Sequence, residues 1–161
     1  MASATTRVHV GRSDIFGPDG LASTSTMPLF AYGTLQLPEV VEALIGRVPA
    51  THAGELPGWV AAPLPKLMYP GLVREPQSST LGLVVTGLSP TEWMLLDRFE
   101  DTDYALERVT LTNGSDAWVY AWRRDTEPGV WDLSEFRSEH LTEYLERCMA
   151  WRRRDLESQS V

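Results

Sequence analysis

Asn113-Gly114 sits between two segments rich in Tyr, Val, Leu and Trp, Tyr104–Leu111 and Ala117–Trp122. Asn and Gly accept positive φ with the least steric penalty, so Thr112-Asn113-Gly114-Ser115 predicts a tight hairpin between two antiparallel strands. The same punctuation recurs upstream. From Leu29 onward short apolar segments are broken by Gly and Pro, of which the chain holds 12 and 11, a texture of short strands and tight loops. Further strands are expected at Leu29–Tyr32, around Leu56–Val60, and at Lys66–Tyr69 and Leu81–Gly87. Several short strands joined by turns point to a closed or nearly closed small barrel, which removes exposed edges.

Three helices are expected around it. Pro38 suits a first turn, Val40, Val41, Leu44 and Ile45 share a face, and Gly46 can end the helix left-handed. Ser89-Pro90-Thr91-Glu92 has the capping-box pattern, and the helix it opens, with Trp93 and Leu96 buried, should stop near Arg98 and leave Phe99 and Glu100 at its exit. Asp132-Leu133-Ser134-Glu135 opens the longest helix. Its apolar positions Leu133, Phe136, Leu141, Tyr144, Leu145 and Cys148 recur at helical spacing, and Arg152, Arg153 and Arg154 read as its solvated end.

A chain of 161 residues suits one domain. Residues 1–27, rich in Ala, Ser, Thr and Gly without periodicity, read as a flexible leader, with Met27 as an alternative start; a domain at 28–157 and a tail at 158–161 follow. A net charge of −8 disfavours nucleic acid and anionic lipid as partners, because both ask for a basic face. No apolar run reaches the length of a membrane span, and Met1–Val10 lacks the build of a secretory signal. With Cys148 as the single cysteine, no intramolecular disulfide forms, and a cytoplasmic setting is expected.

Much chemistry can be set aside. There is no Gly-x-Ser-x-Gly elbow, no Gly-x-Gly-x-x-Gly turn and no Gly-Lys-Ser/Thr phosphate loop. His9, His52 and His140 form no metal-binding pair, so no metal is expected. Cys148 falls among apolar positions and reads as a small hydrophobe, and His140 as a packing residue. The six Trp residues read as core and rim.

Two segments remain. Phe30-Ala31-Tyr32-Gly33-Thr34-Leu35-Gln36-Leu37-Pro38 runs from a strand into a helix start, a junction whose successive N–H groups can hold a carboxylate or an oxyanion. It also reads as a plain turn. Asp97, Glu100, Asp101 and Asp103 likewise read as a hydrated acidic loop when taken alone.

Together these segments resemble the γ-glutamylcyclotransferases, whose signature is a Tyr-Gly-Thr-Leu-type loop and a glutamate following a Leu-Asp motif, here Tyr32-Gly33-Thr34-Leu35 and Leu96-Asp97-Arg98-Phe99-Glu100. The likeness covers nearly all of residues 29–150. Tyr69-Pro70-Gly71, Leu81-Gly82, Val84-Val85-Thr86-Gly87, Asp103-Tyr104, Arg108-Val109 and Val119-Tyr120 follow in the family's order. The tail, from Trp131-Asp132 through Phe136, His140 and Trp151, looks like the plant avirulence-induced-gene-two-like branch.

The resemblance implies an α+β fold, a small mixed β-barrel with flanking helices. It also implies a cofactor-independent enzyme that turns a γ-glutamyl amide or peptide into 5-oxoproline and a free amine. It maps the proton acceptor onto Glu100 and the γ-glutamyl-binding loop onto Tyr32, Gly33, Thr34, Leu35, Gln36 and Leu37, with Tyr104 and Tyr120 as further candidates. The partner implied is a small γ-glutamyl molecule. Two departures stand out. Arg108 falls later after Tyr104 than the family's Arg does, and Asp101 replaces a common Gly, either raising the pKa of Glu100 or pointing outward. A second reading keeps the fold as a ligand-binding or regulatory module without turnover.

Overall fold

The computed structural model describes residues 27–159. The expected leader therefore lies outside the described residues save for Met27, as does the tail beyond residue 159. Within them the chain runs as β1 (Leu29–Ala31), a 3-10 turn (Thr34–Gln36), α1 (Pro38–Ile45), β2 (Thr51–Pro63), β3 (Pro70–Val85), α2 (Pro90–Phe99), β4 (Tyr104–Thr110), β5 (Asp116–Trp122), α3 (Leu133–Glu139) and α4 (Leu141–Gln159).

The Asn113-Gly114 hairpin forms, one step wider than a two-residue turn. Leu111 N–H bonds Ser115 O at 2.8 Å and Gly114 N–H bonds Leu111 O at 2.9 Å, with positive φ at Gly114 and not at Asn113. This is a three-residue loop with its left-handed position at the glycine. Asn113 is spent differently: its Oδ1 accepts from the Ser115 N–H at 3.0 Å. The helix starts follow their local signals. Ser89 and Glu92 complete the capping box of α2, and Gly46, at φ 82, closes α1 with its N–H on Glu42 O.

The strands form one mixed sheet in the order β2-β3-β1-β5-β4. β2 and β3 are a single long antiparallel ribbon, not separate short strands. The expected strand at Lys66–Tyr69 is instead part of the turn joining them, with Lys66 at φ 62. The ribbon is bent at a bulge: pairing passes from Pro57↔Ser79 to Trp59↔Arg74, so Gly58 alone faces Glu75, Pro76, Gln77 and Ser78. Gly58 takes φ 83 there, a conformation that costs glycine little. The consequence is a reversal. Near Val85 the ribbon runs antiparallel to β1, and near Leu72 it runs parallel to β5, although β1 and β5 are parallel to each other.

Two cores follow from the period-two alternation of the strands. Phe30, Leu56, Trp59, Leu72, Val84, Val109, Val119 and Ala121 belong to one cluster that draws on all five strands and on no helix. Only the inside of a curled sheet can be built that way. Leu29, Ala31, Val85, Leu106 and Trp122 face the other side, against Val40, Leu44, Trp93, Leu96, Phe136 and Cys148 of the helices. The sheet curls without closing fully, since β2 and β4 remain its edges. One backbone bond, Thr112 N–H to Glu55 O at 3.0 Å, reaches across from the hairpin to β2.

The last helical region is broken at His140 and is not one continuous helix. His140 caps α3 at φ −125, while its carbonyl accepts the Tyr144 N–H. The break lets Phe136 be buried against Trp131 and Tyr144, with ring centroids 5.5 and 5.3 Å away. His140 lies against the Phe136 ring at 6.1 Å, as a packing residue would. Arg152, Arg153 and Arg154 are not the helix end, because α4 continues to Gln159.

Phe30 is 1% exposed and lies across the Gly54↔Gly82 pair of the ribbon. A Cβ on Gly82 would strike the Ala31 carbonyl oxygen and sit 2.8 Å from Phe30 Cζ. Gly82→Ala is therefore expected to destabilise the fold by about 1–3 kcal/mol through overpacking. Urea denaturation measures this, and a variant as stable as the parent would show that the ribbon can shift to make room.

Candidate active site

β1 stops after Ala31 although it has neighbours on both sides, and the chain leaves the sheet through Tyr32 and Gly33 into the 3-10 turn. In the turn Gln36 N–H donates to Gly33 O at 3.1 Å and Leu37 N–H to Thr34 O at 3.0 Å. Amides at the start of a helical turn have no carbonyl of their own turn to bond. Gly33 is required here by packing, because a Cβ would lie 2.9 Å from Pro70 Cγ.

Beside this turn is a cavity of about 270 Å³, lined by Tyr32, Gly33, Thr34 and Leu35 and, from the exit of α2, by Phe99, Glu100 and Asp101. Glu100 is the first residue beyond α2. Its N–H still bonds Leu96 O while its φ and ψ are extended, so the side chain leaves the helix axis. The capping box that starts α2 thus fixes, through helix length, where the carboxyl emerges.

All five tyrosines of the chain line this one cavity: Tyr32, Tyr69, Tyr104, Tyr120 and Tyr144. Most are tied down as hydroxyl donors. Tyr32 donates to Tyr120 O at 2.6 Å, Tyr104 to Pro70 O, Tyr120 to Asp97 Oδ1 at 3.3 Å and Tyr69 to Asp101 Oδ2 at 3.2 Å. Thr34 Oγ1 donates to Tyr144 Oη at 3.2 Å, which joins α4 to the turn.

The electrostatics follow from burial. Enclosure, then the charges of Asp97 and Asp101, raise the Glu100 carboxyl to about 8, since an ion loses hydration there and meets like charge. Burial likewise lifts Tyr69 to about 12, with Asp101 adding to it. Tyr32, Tyr104 and Tyr144 are also raised, chiefly by burial. At neutral pH the cavity therefore holds protonated phenols around a carboxyl that still keeps its proton. Of the two alternatives weighed for Asp101 the first holds: its charge raises Glu100, and its carboxylate does not point outward but accepts from Tyr69 in the cavity wall and from the Asp103 N–H.

Tyr32, Gly33, Thr34, Leu35, Glu100, Tyr104 and Tyr120 are brought together around the cavity. Gln36 and Leu37 are not among its lining: Gln36 Nε2 folds back onto Gly33 O at 3.2 Å, and Leu37 is buried in the helical core. Arg108 is also away from it, paired with Asp116 on the hairpin at 2.6 Å. Cys148 is on the buried face of α4, its thiol pushed up to about 12 by burial, as befits a core residue.

The wall of the cavity that sequence reading missed as a unit is the one from α4: Tyr144, Arg147, Trp151 and Arg154. Their spacing places them on one helix face, which is the signal that would have found them. Arg98 holds that face in place. It forms a two-pronged bond to Asp155, both arms 3.0 Å, and Phe99 meets the Trp151 ring edge-on at 5.1 Å. Among the described residues there is no cluster of side chains able to hold a metal ion, and no helix long and apolar enough to cross a membrane.

A family model described as gamma-glutamyl cyclotransferase, AIG2-like, matches residues 29–140. AIG2-like protein D of Arabidopsis thaliana is 31% identical over 135 residues, spanning 78% of this chain and 89% of that one. AIG2-like protein C of the same plant is 32% identical over 133 residues, spanning 78% and 77%. A solution structure of another Arabidopsis thaliana protein superposes with a TM-score of 0.58 at 27% identity, covering 83% of this chain and 84% of that one.

A carboxyl whose pKa rises on folding binds a proton that the unfolded chain releases. Between about pH 4.5 and 8 the folded state therefore holds more protons, and stability falls as pH rises through that window. Glu100→Gln removes the penalty. The variant should match the parent near the lower limit and exceed it at pH 9 by on the order of 1–3 kcal/mol, a value kept low because water reaches the carboxyl through the cavity. Denaturation curves across pH test this; a parent–variant difference that stays flat with pH would contradict a carboxyl held neutral.

Proposed function

The chain belongs to the gamma-glutamyl cyclotransferase, AIG2-like family, and from that premise we propose that it cyclises a γ-glutamyl amide to 5-oxoproline, releasing the free amine. The observation that carries this reading is Glu100, a single carboxyl with its pKa at about 8 beside a turn whose leading amides have no backbone acceptor among the described residues. Among the described residues the cavity lining contains no Lys, His or Cys that would serve as a nucleophile. A γ-glutamyl amide needs none, because its own α-amine can close a five-membered ring on the γ-carbonyl.

Glu100 as carboxylate takes a proton from the substrate's α-ammonium. The freed nitrogen attacks the γ-carbonyl carbon, and the carbonyl π pair moves onto oxygen. As the old amide bond breaks, the departing nitrogen takes a proton from Glu100. The ring nitrogen then gives up its surplus proton along the same route, so two protons pass from the attacking to the departing nitrogen. One carboxyl relays both. The amides of Gly33, Thr34 and Leu35 serve the α-carboxylate or the oxyanion, and the tyrosine walls hold the chain folded.

The pKa match favours this division. A peptide α-ammonium titrates at about 8 and the free carboxylate beside a γ-glutamyl amine raises it somewhat, so Glu100 at about 8 takes its proton at small cost. A carboxyl left at its ordinary value would make the same transfer uphill by about 5 kcal/mol. The reaction consumes no cofactor, and a buried, unpaired Cys148 accords with the cytoplasmic setting we take for it.

Glu100→Gln keeps size and hydrogen bonding but removes the proton carrier. It should lower kcat for 5-oxoproline release by ~10²–10⁴-fold with the fold unchanged by circular dichroism. Near-parental turnover would rule out Glu100 as the base, and binding of γ-glutamyl compounds by the parent without product would favour a module without turnover. In the parent, kcat/KM should climb with pH through about 8, where the base ionises. Asp101→Asn removes a like charge next to it, so the midpoint of that climb should move to lower pH; an unmoved or raised midpoint would count against the coupling.

A further inference from the structure

We infer that Arg147 and Arg154, on either side of Trp151 along α4, recognise a carboxylate on the amine half of the substrate. Preferred substrates would then be γ-glutamyl amides of amino acids or peptides over those of plain amines. The inference rests on the cyclisation reading and adds what the departing group must look like.

Both arginines line the cavity while remaining exposed, which sets them at its mouth. Among the described residues of the lining they are the only cationic side chains. Among the described residues Arg47, Arg98, Arg108, Arg124, Arg137 and Arg152 form ion pairs, and Lys66, Arg74, Arg123 and Arg153, which do not, lie outside the cavity lining. Arg147 and Arg154 form no ion pair among the described residues. Arg147 lies instead over the Tyr144 ring at 6.0 Å, and its charge is felt by the Tyr69 hydroxyl inside the cavity.

Position decides which half of the substrate they meet. The α-carboxylate of the glutamyl half shares a carbon with the amine that must reach Glu100, so that carboxylate stays deep, beside the amides of residues 33–35. What extends to the rim is the amine half. Seven residues of helix set the two guanidinium-bearing positions ~10 Å apart along α4. Trp151, half-buried against Phe99, lies between them. A guanidinium matches a carboxylate with paired donors, and the indole offers an apolar surface to the side chain of the departing residue.

The test uses a matched pair, γ-glutamyl-phenylalanine and γ-glutamyl-phenethylamine, which differ only by the carboxylate. Steady-state release of 5-oxoproline gives kcat/KM for each. The parent is expected to favour the carboxylate about tenfold, since each exposed pair contributes about two- to fivefold, and the preference should weaken at high salt. In the double variant Arg147→Gln/Arg154→Gln the ratio should fall toward one, while Arg147→Lys/Arg154→Lys should retain part of it. A parent ratio near one overturns the inference. So does a ratio that the Gln variant leaves intact while both rates fall together, the mark of a merely structural role. No 5-oxoproline from either substrate would sink the cyclisation reading and this inference with it; product from both without preference sinks only the latter.

Discussion

A three-residue strand in the middle of a five-stranded sheet is the constraint on which the rest depends. β1 is held on one side by β3 and on the other by β5, and both neighbours outlast it. Where it ends, β3 and β5 meet directly at Leu72↔Ala121. The departing chain therefore has to turn at once, and it does so as a 3-10 turn whose leading amides have no strand to bond. A longer β1 would have filled the slot with ladder hydrogen bonds. The glycines under Phe30 and the bend at Gly58 serve this arrangement, because they let the ribbon wrap tightly enough to bring Pro70 and Tyr69 over the turn.

The carboxyl is delivered from the opposite direction, by a helix whose length is set at its start by Ser89 and Glu92. Once α2 ends at Phe99, Glu100 has, among the described residues, no cation to pair with in the lining's interior. Its nearest company is other carboxylates and phenols. The one strong ion pair of the region, Arg98 with Asp155, is spent on clamping α4 against the exit of α2, one residue away from Phe99. Arg98 therefore reinforces the walls and leaves the Glu100 proton in place. Removing a buried ion's partner is far costlier than never pairing it, so the clamp and the unpaired acid are distinct roles that sequence neighbours have divided between them.

What could be read in advance was what local chemistry decides. The hairpin at Asn113-Gly114, the cap of α1 at Gly46 and the start of α2 each rest on residues within a turn of one another, and Glu100 followed from them. The ribbon was misread because Leu67, Met68 and Tyr69 are apolar and β-compatible in isolation; only the pairing of Pro63 with Pro70 makes them a turn. The single long helix failed at His140, which carries no breaker signal and yields to the packing of Phe136 and Trp131. The α4 wall escaped for a related reason. Tyr144, Trp151 and the arginines are ordinary amphipathic residues until the tertiary fold decides which hollow their face covers, and that information is not local.

Confining every tyrosine to one cavity has an experimental side. In most proteins the phenol signal is an average over scattered sites. Here ring resonances from tyrosine-labelled protein, or the ultraviolet difference spectrum of phenol, come from the walls of a single hollow, and residues 1–26 contribute none because they contain no tyrosine. The chain carries its own reporter for whatever enters.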